Sequence, residues 1–309
     1  MRFRPLHRAL LPLLAVLALA ACHHKDEAAQ VGGSTPEAAL QGSIDLLKAG
    51  DFNGLWKHAL PPADYAMVRA DWSRHAAGQP PITPAERARF NEKMQTLTGP
   101  DAPARLYARL QPKLAAMERQ YSDQLPVLVS IGGALAKRGV AGNKDLTQTQ
   151  KDQLGRILDV LTPWARQAPW FDQGRAKQAI GVIVATARKL DLRSPDQLRA
   201  MDFDAAMKEY SLGFAGARQL LALYGLSVDD ALNSARLTPV ENTHGHAIVR
   251  IDYTLLGKPL STESKLVEQD DRWYSEDLLD DVRAAHRQLG LPATGASAAA
   301  AADAAVAKD

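Results

Sequence analysis

Between residues 35 and 224 apolar side chains return every three or four positions, and between 234 and 275 they roughly alternate, so the chain predicts helices first and strands last. Thr35-Pro36-Glu37 supplies an N-cap oxygen, a proline at the first helical position and an acid facing the positive end of the helix dipole. Leu40, Ile44 and Leu47 follow at helical spacing, and Gly50 stops the run. A short helix from Asp51 carries Phe52, Leu55 and Trp56 on one side and ends at Pro61-Pro62. Tyr65, Val68 and Trp72 predict a third helix, closed by the loop 78–82. Thr83-Pro84-Ala85-Glu86 has the outline of a capping box. A long helix starts at Asp101 and Pro103, with Pro112 and Pro126 expected to bend or divide it. Further helices are predicted over 149–167, 172–190, 195–201 and 203–224.

The pattern changes after Leu226. Residues 234–241, 246–255 and 260–269 are rich in Val, Ile, Thr, Tyr and Leu, with Asn242-Thr243-His244-Gly245 and Gly257-Lys258 between them, which is hairpin spacing. Asp270-Asp271-Arg272, a short last strand over 273–275 and a helix over 276–289 complete the series. The expected fold class is α+β, predominantly α-helical: N-terminal helices and a helical block, then a three- to four-stranded antiparallel sheet and a final helix.

The two ends carry a different signal. Arg2, Arg4 and Arg8 precede an apolar run over 9–21 that is too brief to span a bilayer as a mature helix. The run closes on Leu19-Ala20-Ala21-Cys22, which resembles the lipobox of bacterial lipoproteins, and Cys22 is the one cysteine of the chain. The resemblance implies cleavage before Cys22, acylation of its thiol and attachment to a membrane through that lipid, facing the periplasm. His23, where Asp would favour the inner membrane, points to the inner leaflet of the outer membrane. The expected organisation is a signal peptide over 1–21, a lipidated tether over 22–34, N-terminal helices over 35–82 that pack with the C-terminal sheet, a helical block over 83–225, the sheet and last helix over 226–292, and a disordered Ala-rich tail over 293–309.

Removing residues 1–21 takes three arginines and no acids, so 37 basic against 35 acidic residues becomes 34 against 35. A mature chain so balanced has no electrostatic footprint for nucleic acid.

Thr35-Pro36-Glu37-Ala38-Ala39 with Leu46-Leu47-Lys48-Ala49-Gly50-Asp51-Phe52, and at the other end Ala247 to Leu255, Gly257-Lys258, Lys265-Leu266-Val267 and Asp271-Arg272-Trp273-Tyr274, resemble the opening and closing phrases of cone-shaped domains of the nuclear-transport-factor-2-like superfamily found in bacterial lipoproteins. The resemblance covers about a quarter of the chain and implies that the helical block is a large insertion. Such cones host enzymes, binders and interaction modules alike, so the fold alone does not choose a function.

Candidate chemistry is sparse. His244-Gly245-His246 has the spacing of two metal ligands on an extended backbone but lies in an expected turn, so solvated histidines are the plainer reading. His58, His75 and His286 would each serve as a general base only if the fold brought a carboxylate such as Asp64 or Asp252 to them, which the spacing does not require, so surface or satisfied core histidines are the plainer reading. The pairs Asp229-Asp230, Asp270-Asp271 and Asp280-Asp281 read as turn and helix-start acids, without a calcium loop. Phosphate-loop, zinc-protease and nucleophile-elbow motifs are missing from the sequence. The apolar stretches 125–136 and 179–187 read first as core helices and second as the wall of a hydrophobic pocket. No catalytic, cofactor-binding or metal residue is therefore assigned, and no cofactor is implied. The expected role is a non-enzymatic accessory or protein-interaction lipoprotein with a possible envelope protein partner. The alternatives are a carrier or sensor of a small hydrophobic ligand, an envelope enzyme with a dispersed site, and an immunity or inhibitor lipoprotein.

Overall fold

The computed structural model describes residues 31–144 and 146–290; Leu19, Ala20, Ala21, Cys22 and the Ala-rich tail lie outside them. Twelve helices and one sheet occupy the described residues. The helices are α1 (Pro36–Ala49), α2 (Phe52–Ala59), α3 (Pro62–Ala77), α4 (Pro84–Thr98), α5 (Ala102–Tyr121), α6 (Leu125–Gly142), α7 (Gln148–Gln167), α8 (Gln173–Leu190), α9 (Pro195–Ala200), α10 (Phe203–Leu223), α11 (Val228–Asn233) and α12 (Glu276–Gly290). The strands are β1 (Arg236–Thr243), β2 (His246–Leu255), β3 (Lys258–Gln269) and β4 (Arg272–Ser275). The class is α+β and mostly helical, with the four-stranded antiparallel sheet and a last helix closing the chain.

Local chemistry sets the helix starts. Thr35 accepts from Ala38 N and Asp51 from Gly54 N, while Thr83 and Glu86 trade both bonds of a capping box. Thr147, Asp172, Ser194, Asp202 and Ser227 cap five further helices. Pro126 stands in the first turn of α6 and divides it from α5, but Pro112 sits inside a continuous α5. Pro112 is exposed, so the backbone acceptor that its missing N–H releases faces solvent.

The sheet is a meander, β1-β2-β3-β4, with every pair antiparallel. Its three two-residue turns, His244-Gly245, Leu256-Gly257 and Asp270-Asp271, all hold positive φ at both positions, the geometry that matches the twist of paired strands. Pro239 and the adjoining bulge fall on the edge strand β1, where a missing donor costs least.

The main core joins both ends of the chain. Ile44, Leu47, Leu55, Trp56 and Leu60 of the first helices pack with Val249, Ile251 and Leu266 of the sheet and with Leu279 of α12. From the helical block, Phe203 and Met207 of α10 enter this core, and the Phe203 ring meets Trp56, Tyr65 and Trp72 edge-on at 6.2, 6.0 and 5.9 Å. A second, smaller cluster of Ala102, Ile180 and Val184 holds α5 to α8. Residues 31–34 differ from the expected tether end: Gly32 and Gly33 are buried, Gly32 N donates to His58 O, and Gly33 pairs with Trp273 of β4.

Candidate functional site

Two features distinguish themselves: a small, mostly apolar cavity with a few polar side chains in its wall, where the first helices meet the sheet, and an exposed apolar face on the helical block. The cavity is built by α1 (Leu40, Ser43), α2 (His58), α7 (Gln150), β3 (Ser264), β4 (Trp273) and α12 (Asp277, Asp281). Strand alternation puts Thr262, Ser264 and Leu266 on the inner face of β3, opposite Ile251, Val249 and Ala247. The sheet's buried face thus turns from apolar at β2 to partly hydroxylated at β3, where α7 presents the buried amides Gln150 and Gln153. One helical turn of α12 separates Asp277 from Asp281, four residues apart, and places them on the same side.

His58 is 5% exposed, and its Nε2 lies 2.9 Å from Ala39 O. A carbonyl only accepts, so Nε2 donates and carries the proton; Ser43 Oγ donates to the same oxygen at 3.0 Å. Partial burial pushes Asp281 up to about 6, with repulsion from Asp277 and Asp280 acting in the same direction. Asp277 is raised too, chiefly by burial, and Lys265 opposes that shift. The cavity thus gathers a histidine, two acids that hold protons more tightly than usual, and hydroxyl and amide side chains. Its volume is about 40 Å³, which fits roughly one water and falls far below the roughly 300 Å³ at which small-molecule pockets begin.

The other residues flagged by the sequence do not converge on this place. His244 holds the first position of a hairpin turn, and the exposed His246 stands 4.0 Å from Glu276. No three metal-ligating side chains come together among the described residues. His75 contacts Gln79, and Asp252 pairs with Arg250. His286 does meet a carboxylate across the fold, but it is Asp71: Nδ1 lies 2.8 Å from Asp71 Oδ2, and Arg74 joins the same acid. Asp64 is taken instead by a two-pronged bond from Arg283 at 2.9 and 2.7 Å. These pairs clasp α3 to α12. The sequence held a sign of them, since Asp64, Val68 and Asp71 share one helical face, and an acid inside a buried stripe requires a cation from the helix packed on it.

The second feature lies on α6. Read as a core helix, the stretch 125–136 instead buries none of its residues: Val127, Leu128, Ile131 and Leu135 are 60, 50, 53 and 63% open, and α6 has no buried residue. The other stretch, 179–187, does lie in the core, with Ile180, Val184 and Ala187 buried on α8. The difference is in neighbours. Helix α8 is sandwiched by α4, α5 and α10, whereas α6 has an extensive contact only with α7, the outer member of a helical hairpin. Gly133 faces Thr162 of α7 and lets the two backbones approach, and Lys137 pairs with Asp159 across the same seam. The side of α6 turned away from α7 carries the apolar stripe, with spacings of three and four residues that keep it on one face.

Sequence counting held a signal for this face as well. Residues 102–144 carry seven cationic and two acidic side chains, so the segment that holds the most exposed of the large apolar side chains on one helix face is also cationic, in a chain otherwise slightly acidic. Among the described residues no helix is long and apolar enough to cross a membrane. Compared with known proteins, the chain matches no family model, no curated sequence and no solved structure.

Proposed function

We propose that this protein is a lipid-anchored accessory module of the bacterial envelope that works by docking through α6 rather than by chemistry in its cavity. The anchor reading rests on the cationic start, the short apolar run and Leu19-Ala20-Ala21-Cys22, and His23 favours the inner leaflet of the outer membrane over the inner membrane. The resemblance to cone-shaped lipoprotein domains gains support from the shared core of α1, α2 and the sheet, with residues 83–225 inserted between them in sequence.

The observation that carries docking is the α6 stripe. Four large aliphatic side chains half or more exposed on one helix face, on a helix with no buried residue, leave apolar surface in water at a cost of roughly 25 cal/mol for each Å². Contiguous surface of this kind marks interaction sites. The cavity supports the carrier and enzyme readings less well, because a volume of about 40 Å³ holds no organic ligand without rearrangement.

The test is crosslinking in intact cells with three forms of the chain: native, Cys22→Ser, and Ile131→Glu with Leu135→Glu. Both substituted α6 positions are exposed, so the fold should keep its stability to within about 0.5 kcal/mol. Native adducts that disappear in the other two forms are expected. Adducts unchanged by the two glutamates would reject α6 as the docking face.

A further inference from the structure

We infer that the occupant of the α6 face is the surface of an anionic phospholipid bilayer, an inference that rests on the docking reading and names its partner. Three observations combine. The stripe Leu128, Ile131 and Leu135 continues at the next helical step into Arg138, an exposed cation on the same face. On the preceding helix, exposed Lys113 lies one turn before exposed Met117, repeating the pairing of cation and apolar side chain. No acid occurs between residues 124 and 144, so nothing on α6 repels phosphate.

Charge decides among the possible occupants. Residues 102–144 hold seven cations against two acids, while the rest of the chain after residue 21 holds 27 against 33. A second copy of the chain would bring the same cations against themselves at a twofold contact on this face. An anionic headgroup layer meets both features at once, attracting the cations and accepting the aliphatic side chains at the boundary with the acyl region. Helix α6 is 18 residues long but does not reach the apolarity of a membrane span, which suits a helix lying on the surface. With the chain held at a bilayer by Cys22, the contact becomes intramolecular in effect, and even weak affinity suffices to occupy it.

The experiment uses the full-length chain, produced with its own leader and reconstituted into vesicles, with an environment-sensitive dye on Leu135→Cys. The chain with Cys22 as its one cysteine is the labelling blank. In vesicles of equal parts phosphatidylglycerol and phosphatidylcholine, the dye should shift to the blue and lose most of its emission to spin-labelled lipid. Phosphatidylcholine alone, or Lys113→Glu with Arg138→Glu in the mixed vesicles, should abolish both effects. Equal shifts in both vesicle types would overturn the anionic preference, and no shift in either would overturn the lipid occupant. A photoreactive residue at position 135 in living cells separates that failure from failure of docking itself. Lipid adducts support the proposal, protein adducts replace the lipid by a protein while keeping the docking face, and the absence of any adduct removes both.

Discussion

Asp281 sits half-buried in the cavity wall with Asp277 one turn before it, and its carboxyl titrates at about 6 instead of 3.8. Between those values the folded chain holds a proton that the unfolded chain has released. More protons bound by the native state means that stability falls as pH rises. The contribution is therefore fully present below pH 3.8 and is lost as pH climbs through about 6, and Asp277 shifts in the same direction. Asp281→Asn keeps the shape and removes the charge. A fully buried group with this shift would account for ~3 kcal/mol, and partial exposure reduces the expected gain at pH 7 to about 1 to 2 kcal/mol. Denaturant unfolding at pH 4, 5, 6 and 7 checks this: the native chain should lose stability along the series and the variant should lose less. A variant that loses as much stability as the native chain between pH 4 and 7 would show that the carboxyl is not desolvated. Of the pair Asp280-Asp281, the sequence shows only two acids at the start of a helix. Which one turns inward depends on helix phase, and Leu278 and Val282 fix that phase by burying the side next to Asp281.

On α6 two adjacent glycines separate helix propensity from helix packing. Space around the position of a Gly132 side chain is open, whereas a Cβ on Gly133 would stand 2.6 Å from Thr162 Oγ1 and 2.9 Å from its methyl group. Gly132→Ala should stabilise the chain by about 0.5 to 1 kcal/mol through the lower backbone entropy of its unfolded state. Gly133→Ala should cost about 1 to 3 kcal/mol, because the α6–α7 seam must spread. Thermal unfolding of the two variants tests both, and equal effects would mean that α7 does not lie against Gly133. The contrast bears on what could be read in advance. Caps are local chemistry, so Thr35, Thr83, Asp172 and Ser194 mark helix starts without reference to the rest of the fold. Hairpin turns are local too, and His244-Gly245 is legible for that reason. The short helix α11 is not legible, since six residues have no room for a repeating stripe and tertiary contacts hold Ala231 and Leu232 in the core. Residues 125–136 look like core because apolar composition records the preference of a helix and not whether a neighbour exists to satisfy it.

Across the whole molecule, burial is unevenly shared. Leu232 and Val249 are 0% exposed and Leu279 is 1% exposed, all in the core that ties the first helices to the sheet and α12. The helical block enters that core through α10, adds the smaller cluster of α5 and α8, and leaves α6 outside both. Few buried contacts mean that local opening costs little, so the amides of α6 should exchange with solvent well before those of β2 and α1, with α5 and α8 between them. Native-state hydrogen exchange with increasing denaturant measures this directly. Helix α6 should show a low opening free energy that barely depends on denaturant, the mark of a local event, while β2 should follow global unfolding. The ordering also links stability to docking. A surface that binds the folded hairpin and not the open one must raise the protection of α6 by mass action, without changing that of β2. Vesicles containing phosphatidylglycerol should therefore slow exchange in α6 selectively. If α6 and β2 instead open together in the free chain, the hairpin belongs to the main cooperative unit, and its exposed stripe is held by rigidity that the contacts in this fold do not explain.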